Sequence, residues 1–243
     1  MRIAFDLDGV LADLHGAFAA TAVKMFPELD TSVLREPEVG SSPPADTLPA
    51  ESLVAPPKSP TDLALTSRQS DAVWKALANV PDFWESLNEI ESGMIRRLAA
   101  LADERRWEVL FITSRPRSAG RTVQRQSQRW LERHGFPLPS AYVVQGSRGL
   151  IAKSLQIDLV IDDRPENCLD VVLESQAGAI LVWRGHRESV PGSAKRMGIA
   201  VVHSVTEALD AIVKIEQPDE PTGLLDRLRT LFGLRTSRPA GSN

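Results

Sequence analysis

A single cysteine, Cys168, and four scattered histidines, His15, His134, His186 and His203, are all the thiol and imidazole chemistry this 243-residue chain holds. One thiol excludes an intramolecular disulfide and a thiolate-rich zinc site, and the histidines show no HExxH spacing. No apolar run approaches the roughly 20 residues that a bilayer span needs. The opening MRIAFDLD reads as a strand rather than a signal peptide. A net charge of −4 gives no electrostatic support for coating a nucleic-acid polymer. With 42% hydrophobic and 25% charged residues, disorder along the whole length is excluded, and the length suits one sizeable domain or a core carrying a smaller one. The expectation is a cytoplasmic globular protein with no membrane span and no nucleic-acid polymer as partner, its oligomeric state open.

What is present is an alternation of short apolar runs and helical patterns. The runs are Arg2–Phe5, Val109–Thr113, Tyr142–Val144, Leu159–Ile161, Ile180–Trp183 and Ala200–Val202. They are continuous rather than alternating, as in strands buried on both faces of a parallel sheet. Between them lie helical stretches at Ala119–His134, Arg148–Leu155, Pro165–Glu174 and Val205–Ile215. Pro165 suits a first helical turn and Gly135 a left-handed cap. Repetition of strand, helix and strand predicts right-handed crossovers and an α/β fold with a doubly wound, Rossmann-like parallel sheet. Core segments are expected at 1–13 and 107–215.

About 100 residues separate Asp8 from Val109, far beyond an ordinary βα connection. Helical patterns at Leu14–Phe26, Ser70–Asn79 and Gly93–Arg105 predict a small helical module over 14–106, inserted after the first strand. Within it, Pro37–Pro60 carries seven of the 17 prolines and no aromatic residue, so a flexible insert is expected over about 37–66. In the tail, 216–243, Leu224–Leu234 is amphipathic: it either packs on its own domain or docks on a partner or membrane surface.

Two acidic strand ends carry the chemistry. Asp6-Leu7-Asp8-Gly9 closes the first strand, and residues i and i+2 of an extended chain point to one side. Val160-Ile161-Asp162-Asp163-Arg164-Pro165 closes another. Carboxyl ends of parallel strands are where such sheets bind ligands. Two like charges about 4 Å apart cost roughly 4 kcal/mol at an effective dielectric near 20, so convergence demands a cation or a proton. Oxygen ligands alone point to Mg²⁺, which takes carboxylates, waters and a substrate phosphate oxygen. Ion pairing with Arg164 or Arg115 is the competing explanation. A third strand end, Thr113-Ser114-Arg115, offers hydroxyls and a guanidinium to phosphate oxygens, although Ser114 also suits a helix N-cap.

In this order DLDGV, TSR, a lysine on the preceding helix and IDDRPEN resemble motifs one to four of the haloacid-dehalogenase-like superfamily. The forms DLDGVLAD, TSRP and IDDRPENC are most similar to its 5′(3′)-deoxyribonucleotidase-like branch. The resemblance covers residues 1–20 and about 83–185, and leaves out the insert and the tail. It implies a Mg²⁺-dependent phosphatase of small phosphorylated metabolites, of 5′-nucleotidase type, with a small cap after the first strand. By the same resemblance Asp6 is the nucleophile that forms an aspartyl-phosphate, and Asp8 is the general acid and base. Mg²⁺ sits among Asp6, the Asp8 carbonyl and Asp163, with Asp162 supporting. Thr113 and Ser114 hold the phosphoryl oxygens with Arg115. The basic residue of motif three is Lys153 by nucleotidase spacing or Arg148 five positions earlier; their cationic groups are not equivalent. Phe83 and Trp84 are either core residues or a stacking platform for a base. Two alternatives remain: a non-catalytic Mg²⁺- or phosphate-binding regulatory module, and a haloacid dehalogenase, which would need neither Asp8 nor a metal.

Overall fold

The computed structural model describes residues 1–29, 63–185, 189–216 and 223–234. Most of the 37–66 segment, His186 and much of the 216–243 tail lie outside the described residues. One parallel sheet is built from β1 (Arg2–Phe5), β2 (Glu108–Thr113), β3 (Ser140–Val143), β4 (Leu159–Asp162), β5 (Gly178–Val182) and β6 (Ala200–Val202), in the order β3-β2-β1-β4-β5-β6. The order reverses between β1 and β4, so the crevice of this doubly wound sheet opens beyond their carboxyl ends. The helices are α1 (Leu14–Met25), α2 (Ser67–Ala78), α3 (Met94–Arg105), α4 (Val123–Arg133), α5 (Arg148–Ser154), α6 (Pro165–Glu174), α7 (Gly192–Arg196), α8 (Val205–Ile215) and α9 (Leu224–Leu231), with a 3-10 turn at Phe83–Glu85.

Burial on both faces explains the unbroken apolar runs. Ile3, Phe5, Phe111, Ile161, Ile180 and Val182 pack with the inserted helices and α8. Ala4, Leu110, Ile112, Val160, Ala179 and Leu181 face the opposite way, against Ala152 of α5 and Cys168 and Val171 of α6. Within the insert α1 and α2 pack on each other, whereas α3 lies against α8. Leu228 of α9 is buried and α9 packs on α8, with Leu225 and Leu228 over Gly178. That segment therefore covers its own domain.

Two helix starts differ from the sequence expectation. A reciprocal capping box between Thr66 and Gln69 starts α2 at Ser67 rather than Ser70. Thr122 caps α4, and residues 116–121 ahead of it are claimed by the insert: Ala119 donates to the Ala78 carbonyl and accepts from the Asp82 N–H. The 3-10 turn is pinned to α4 as well. Buried Glu85 sits among Arg121, Arg129 and Arg133, and Gln126 accepts from the Trp84 N–H.

Strand β3 is an edge. Just past its end the Val144 N–H donates inward to the Thr113 carbonyl, while the outward Val143 N–H donates to the Gln124 Oε1, and Gln124 Nε2 donates to the Ala141 carbonyl. The side-chain amide of α4 thus stands where the next strand's peptide would be.

Helices α5 and α6 lie unusually close because position 149 has no side chain. A Cβ there would come within 2.2 Å of the Asp170 carbonyl oxygen. The approach lets the Asp170 carboxylate accept from the Gly149 N–H at 2.9 Å and from the Ser147 hydroxyl at 2.8 Å. Gly149→Ala is expected to cost about 1–3 kcal/mol, read as a lower urea midpoint with an unchanged m-value, because backbone must move to admit the methyl.

Candidate active site

The chain leaves β1 at Asp6, whose N–H still donates to Ile161 of β4 at 2.9 Å. It then coils: the N–H groups of Leu11 and Ala12 both reach the Leu7 carbonyl, and Gly9 takes φ +84°. A Cβ on Gly9 would lie 2.0 Å from a carboxylate oxygen of Asp163, so glycine is required there both for the turn and for the neighbour. This coil brings the end of β1 against the end of β4.

Asp6, Asp162 and Asp163 converge, each offering a carboxylate oxygen within 4.8 Å of the others. Asp162 is oriented by the Arg164 N–H at 2.9 Å and by the Asn167 side-chain amide on both oxygens. Asp163 has one buried oxygen, Oδ1, with no hydrogen-bond partner. Burial, then the Asp162 charge, raises the Asp6 pKa well above the carboxylate range, against the pull of Arg148. Burial raises that of Asp162, although the Arg164 N–H, Arg148 and Asn167 oppose it. The same two causes that act on Asp6 take Asp163 to about 7. Three like charges short of a counter-charge, with an orphaned oxygen among them, form a site a cation fits.

Arg148 is the buried cation nearest this group. Its Nη2 donates to Asp6 Oδ1 at 3.2 Å and to Ser114 Oγ at 3.3 Å, and its Nε lies 3.8 Å from Asp162. Its Nη1 is buried without an acceptor. One guanidinium therefore links the ends of β1, β2 and β4 and keeps a donor in reserve, and the α5–α6 contact described above holds its backbone.

The other expected residues are placed differently. Asp8 does not join the three-carboxylate group. Its oxygens accept from Arg115 Nε and Nη2 at 2.8 and 2.7 Å, and Thr113 Oγ1 lies 3.3 Å from Oδ2. Arg115, which the motif aligned with phosphate, spends two of its donors on that carboxylate and a third on Ser127 Oγ at 3.0 Å. Asp8 still adds like charge to Asp6 and Asp163, but past the end of the strand its carboxylate is turned to Arg115. Ser114 caps no helix; its hydroxyl donates to the Val144 carbonyl at 2.8 Å. Lys153 is exposed on α5, whereas Arg148 is the one of the two with described contacts to the group. Phe83 and Trp84 are buried edge to face, and Trp84 stacks on the Arg115 guanidinium at 4.8 Å. The Trp84 indole also donates to the Pro116 carbonyl at 3.2 Å.

Asn167 and His15 escaped the sequence reading. Asn167 stands in the IDDRPENC stretch, where its position one helical turn beyond the acids was a usable signal. His15 lies on α1 with a ring carbon 3.2 Å from the point a Gly9 Cβ would occupy, at the exposed mouth of the group; nothing in its local sequence marks it. Between α2, the 3-10 turn and residues 116–118, a cavity of about 250 Å³ is lined by Trp74, Leu77, Phe83, Trp84 and Pro116, with Lys75, Asp71 and Arg117 among its polar walls. Trp74 has a buried indole Nε1 without a partner.

No helix among the described residues is long and apolar enough to cross a membrane. No family model and no curated protein matches the chain. Among solved structures it is similar to a hydrolase from Pseudomonas syringae, at 15% identity and TM-score 0.48, over 89% of this chain and 100% of the other. It is also similar to a hydrolase, a haloacid dehalogenase-like family protein from Streptococcus pneumoniae, at 14% identity and TM-score 0.43, over 86% of this chain and 96% of the other.

The Asp163 carboxyl has an ordinary value of 3.8 and is held near 7 in the fold. Between those values the folded chain keeps a proton that the unfolded chain has lost. This group's contribution to stability therefore falls as pH rises through that window and stays low above it. In EDTA at pH 8, Asp163→Asn is expected to raise Tm, by about 2–4 °C for each kcal/mol relieved. Mg²⁺ should raise the wild-type Tm and leave that of Asp163→Asn nearly unmoved, measured by differential scanning calorimetry.

Proposed function

We propose that the chain is a Mg²⁺-dependent phosphomonoester hydrolase of the haloacid-dehalogenase-like superfamily, working through an aspartyl-phosphate on Asp6. The observation that carries the reading is the Arg148 guanidinium, which bridges Asp6 and Ser114 and retains an unpartnered buried Nη1 beside three converging carboxylates. A nucleophile, a hydroxyl and a spare donor around one cation are what a phosphoryl group needs from its surroundings.

The donor set is all oxygen, which fits a hard divalent ion such as Mg²⁺; Asp6, Asp163 and the Asp8 carbonyl would hold it, with Asp162 in support. When bound, that ion neutralises the carboxylates and the phosphate oxygens. Arg148, with its spare Nη1, orients the phosphoryl group, with Ser114 and Thr113 beside it. The Asp6 carboxylate attacks phosphorus, the ester P–O bond breaks, and the leaving oxygen takes a proton from Asp8. In the second half, water attacks the same phosphorus and gives its proton to Asp8, and the Asp6–phosphorus link breaks.

A cavity lined by Phe83, Trp84 and Pro116 supports an aromatic leaving group: its walls are apolar rings and aliphatic chains, and its lining residues 116–118 directly follow the Thr113–Arg115 strand end. A nucleoside monophosphate meets those demands.

Wild-type protein is expected to release phosphate from 4-nitrophenyl phosphate with Mg²⁺ and not with EDTA. Asp6→Asn should lose about 10³-fold or more in kcat with its circular dichroism unchanged; release at the wild-type rate would refute the proposal. Arg148→Ala should lose roughly 100-fold or more, and Lys153→Ala less than about two-fold. A panel of nucleoside monophosphates, sugar phosphates and phosphoglycolate, assayed for released phosphate, identifies the leaving group.

A further inference from the structure

Arg115 is the most enclosed cation of the site, and among its described partners Asp8 alone belongs to the proposed chemistry. Its side chain is 0% exposed. Its guanidinium lies between the Trp84 ring at 4.8 Å and the Trp130 ring at 5.9 Å. Its edge meets the Asp8 carboxylate through two donors, and a third donor ends on Ser127. Each wall is itself fastened. Trp130 donates to the Leu87 carbonyl at 2.7 Å, Trp84 donates to Pro116, and the Glu85 arginine cluster holds the turn that carries Trp84. A two-pronged guanidinium–carboxylate pair fixes the plane of the carboxylate as well as its distance, which a point charge cannot do.

We infer that Arg115 is a positioning residue for Asp8, a planar clamp built jointly by the insert and α4 that aims the Asp8 carboxyl at the leaving oxygen rather than a ligand of the phosphoryl group. The inference rests on the phosphatase reading above. Arg115 exchanges no proton: in the first step the proton passes from Asp8 to the leaving oxygen as the ester bond breaks, and the clamp sets only where that proton stands. Its loss must then be felt in proportion to how much the leaving oxygen needs a proton. An alkoxide needs one; a 4-nitrophenolate departs without it.

The test compares kcat/KM for glycerol 3-phosphate and for 4-nitrophenyl phosphate, because that ratio reports events up to the departure of the leaving group and leaves out the attack of water. Arg115→Lys keeps the charge and removes the fork. It is expected to lower kcat/KM about 30–100-fold for the alkyl ester and less than about five-fold for the aryl ester. Equal losses on both esters would overturn the inference, since a phosphate ligand or a mere stability role affects both alike. Combined with Asp8→Asn, Arg115→Lys should add nothing further on the alkyl ester; multiplicative losses would count against it. If Arg115→Lys fails to fold, Ser127→Ala decides: about a three- to ten-fold loss for the alkyl ester and none for the aryl ester supports the clamp. A loss that is equal or absent on both sinks it. Asp6→Asn separates the two levels, because activity surviving in that variant removes the phosphatase reading itself. With Asp6 essential, equal losses remove the role of Arg115 alone.

Discussion

Like charges gathered at the ends of two neighbouring strands are the constraint to which much of this molecule answers. Asp6, Asp162 and Asp163 share a few ångströms of buried space, and burial raises the pKa of each. Arg148 supplies one opposing charge, and it reaches the cluster only because α5 starts where it does. Ser147 caps that helix and Gly149 lets it press against α6, where Asp170 binds both residues. The fold thus carries a costly electrostatic arrangement on one of its tightest helix–helix contacts, which is the expected place for it if the geometry has to be held within tenths of an ångström.

The insert reaches the same centre by another route. Trp84 leaves the 3-10 turn, covers Arg115, and Arg115 holds Asp8. Helix α4, which fastens the turn, also packs on β3, so Asp8 is tied to elements more than 70 residues away in sequence. Asp6 and Asp8 stand two positions apart in the chain, yet they are held by different arginines from different elements. Their separate anchoring keeps the Asp8 carboxylate out of the three-carboxylate group although the backbone places it next door.

Strands and most helices were legible because burial on both faces writes itself as unbroken Val, Ile and Leu runs, as at Val109–Thr113 and Ile180–Val182. The acids at the strand ends were legible for a related reason: a carboxylate directly after a buried run has few places to go. Side-chain direction beyond the strand was not. Asp8 follows a coil whose hydrogen bonds converge on Leu7, so the two-residue periodicity stops at Asp6. Nor does charge alone distinguish Arg148 from Lys153; the Ser147 cap does, by making Arg148 the first helical residue and leaving Lys153 on the exposed side. Trp84 read more readily as core than as platform, and its partner, the Arg115 guanidinium, could not be known before α4 and the insert were in register. The start of α4 shifted for the same reason, since backbone pairing with Ala78 and Asp82 outweighs the helical pattern of 119–122.

Gln124 has a consequence beyond its own two hydrogen bonds. By offering an amide where a neighbouring chain would offer a peptide, it finishes β3 with a surrogate and leaves no vacant pair of groups at Ala141 and Val143 for a seventh strand. On that flank the molecule is protected from growing by β-augmentation. Any association with a second molecule through this side must use the surfaces of α4 and α5, where recognition depends on side chains rather than on backbone that every protein shares.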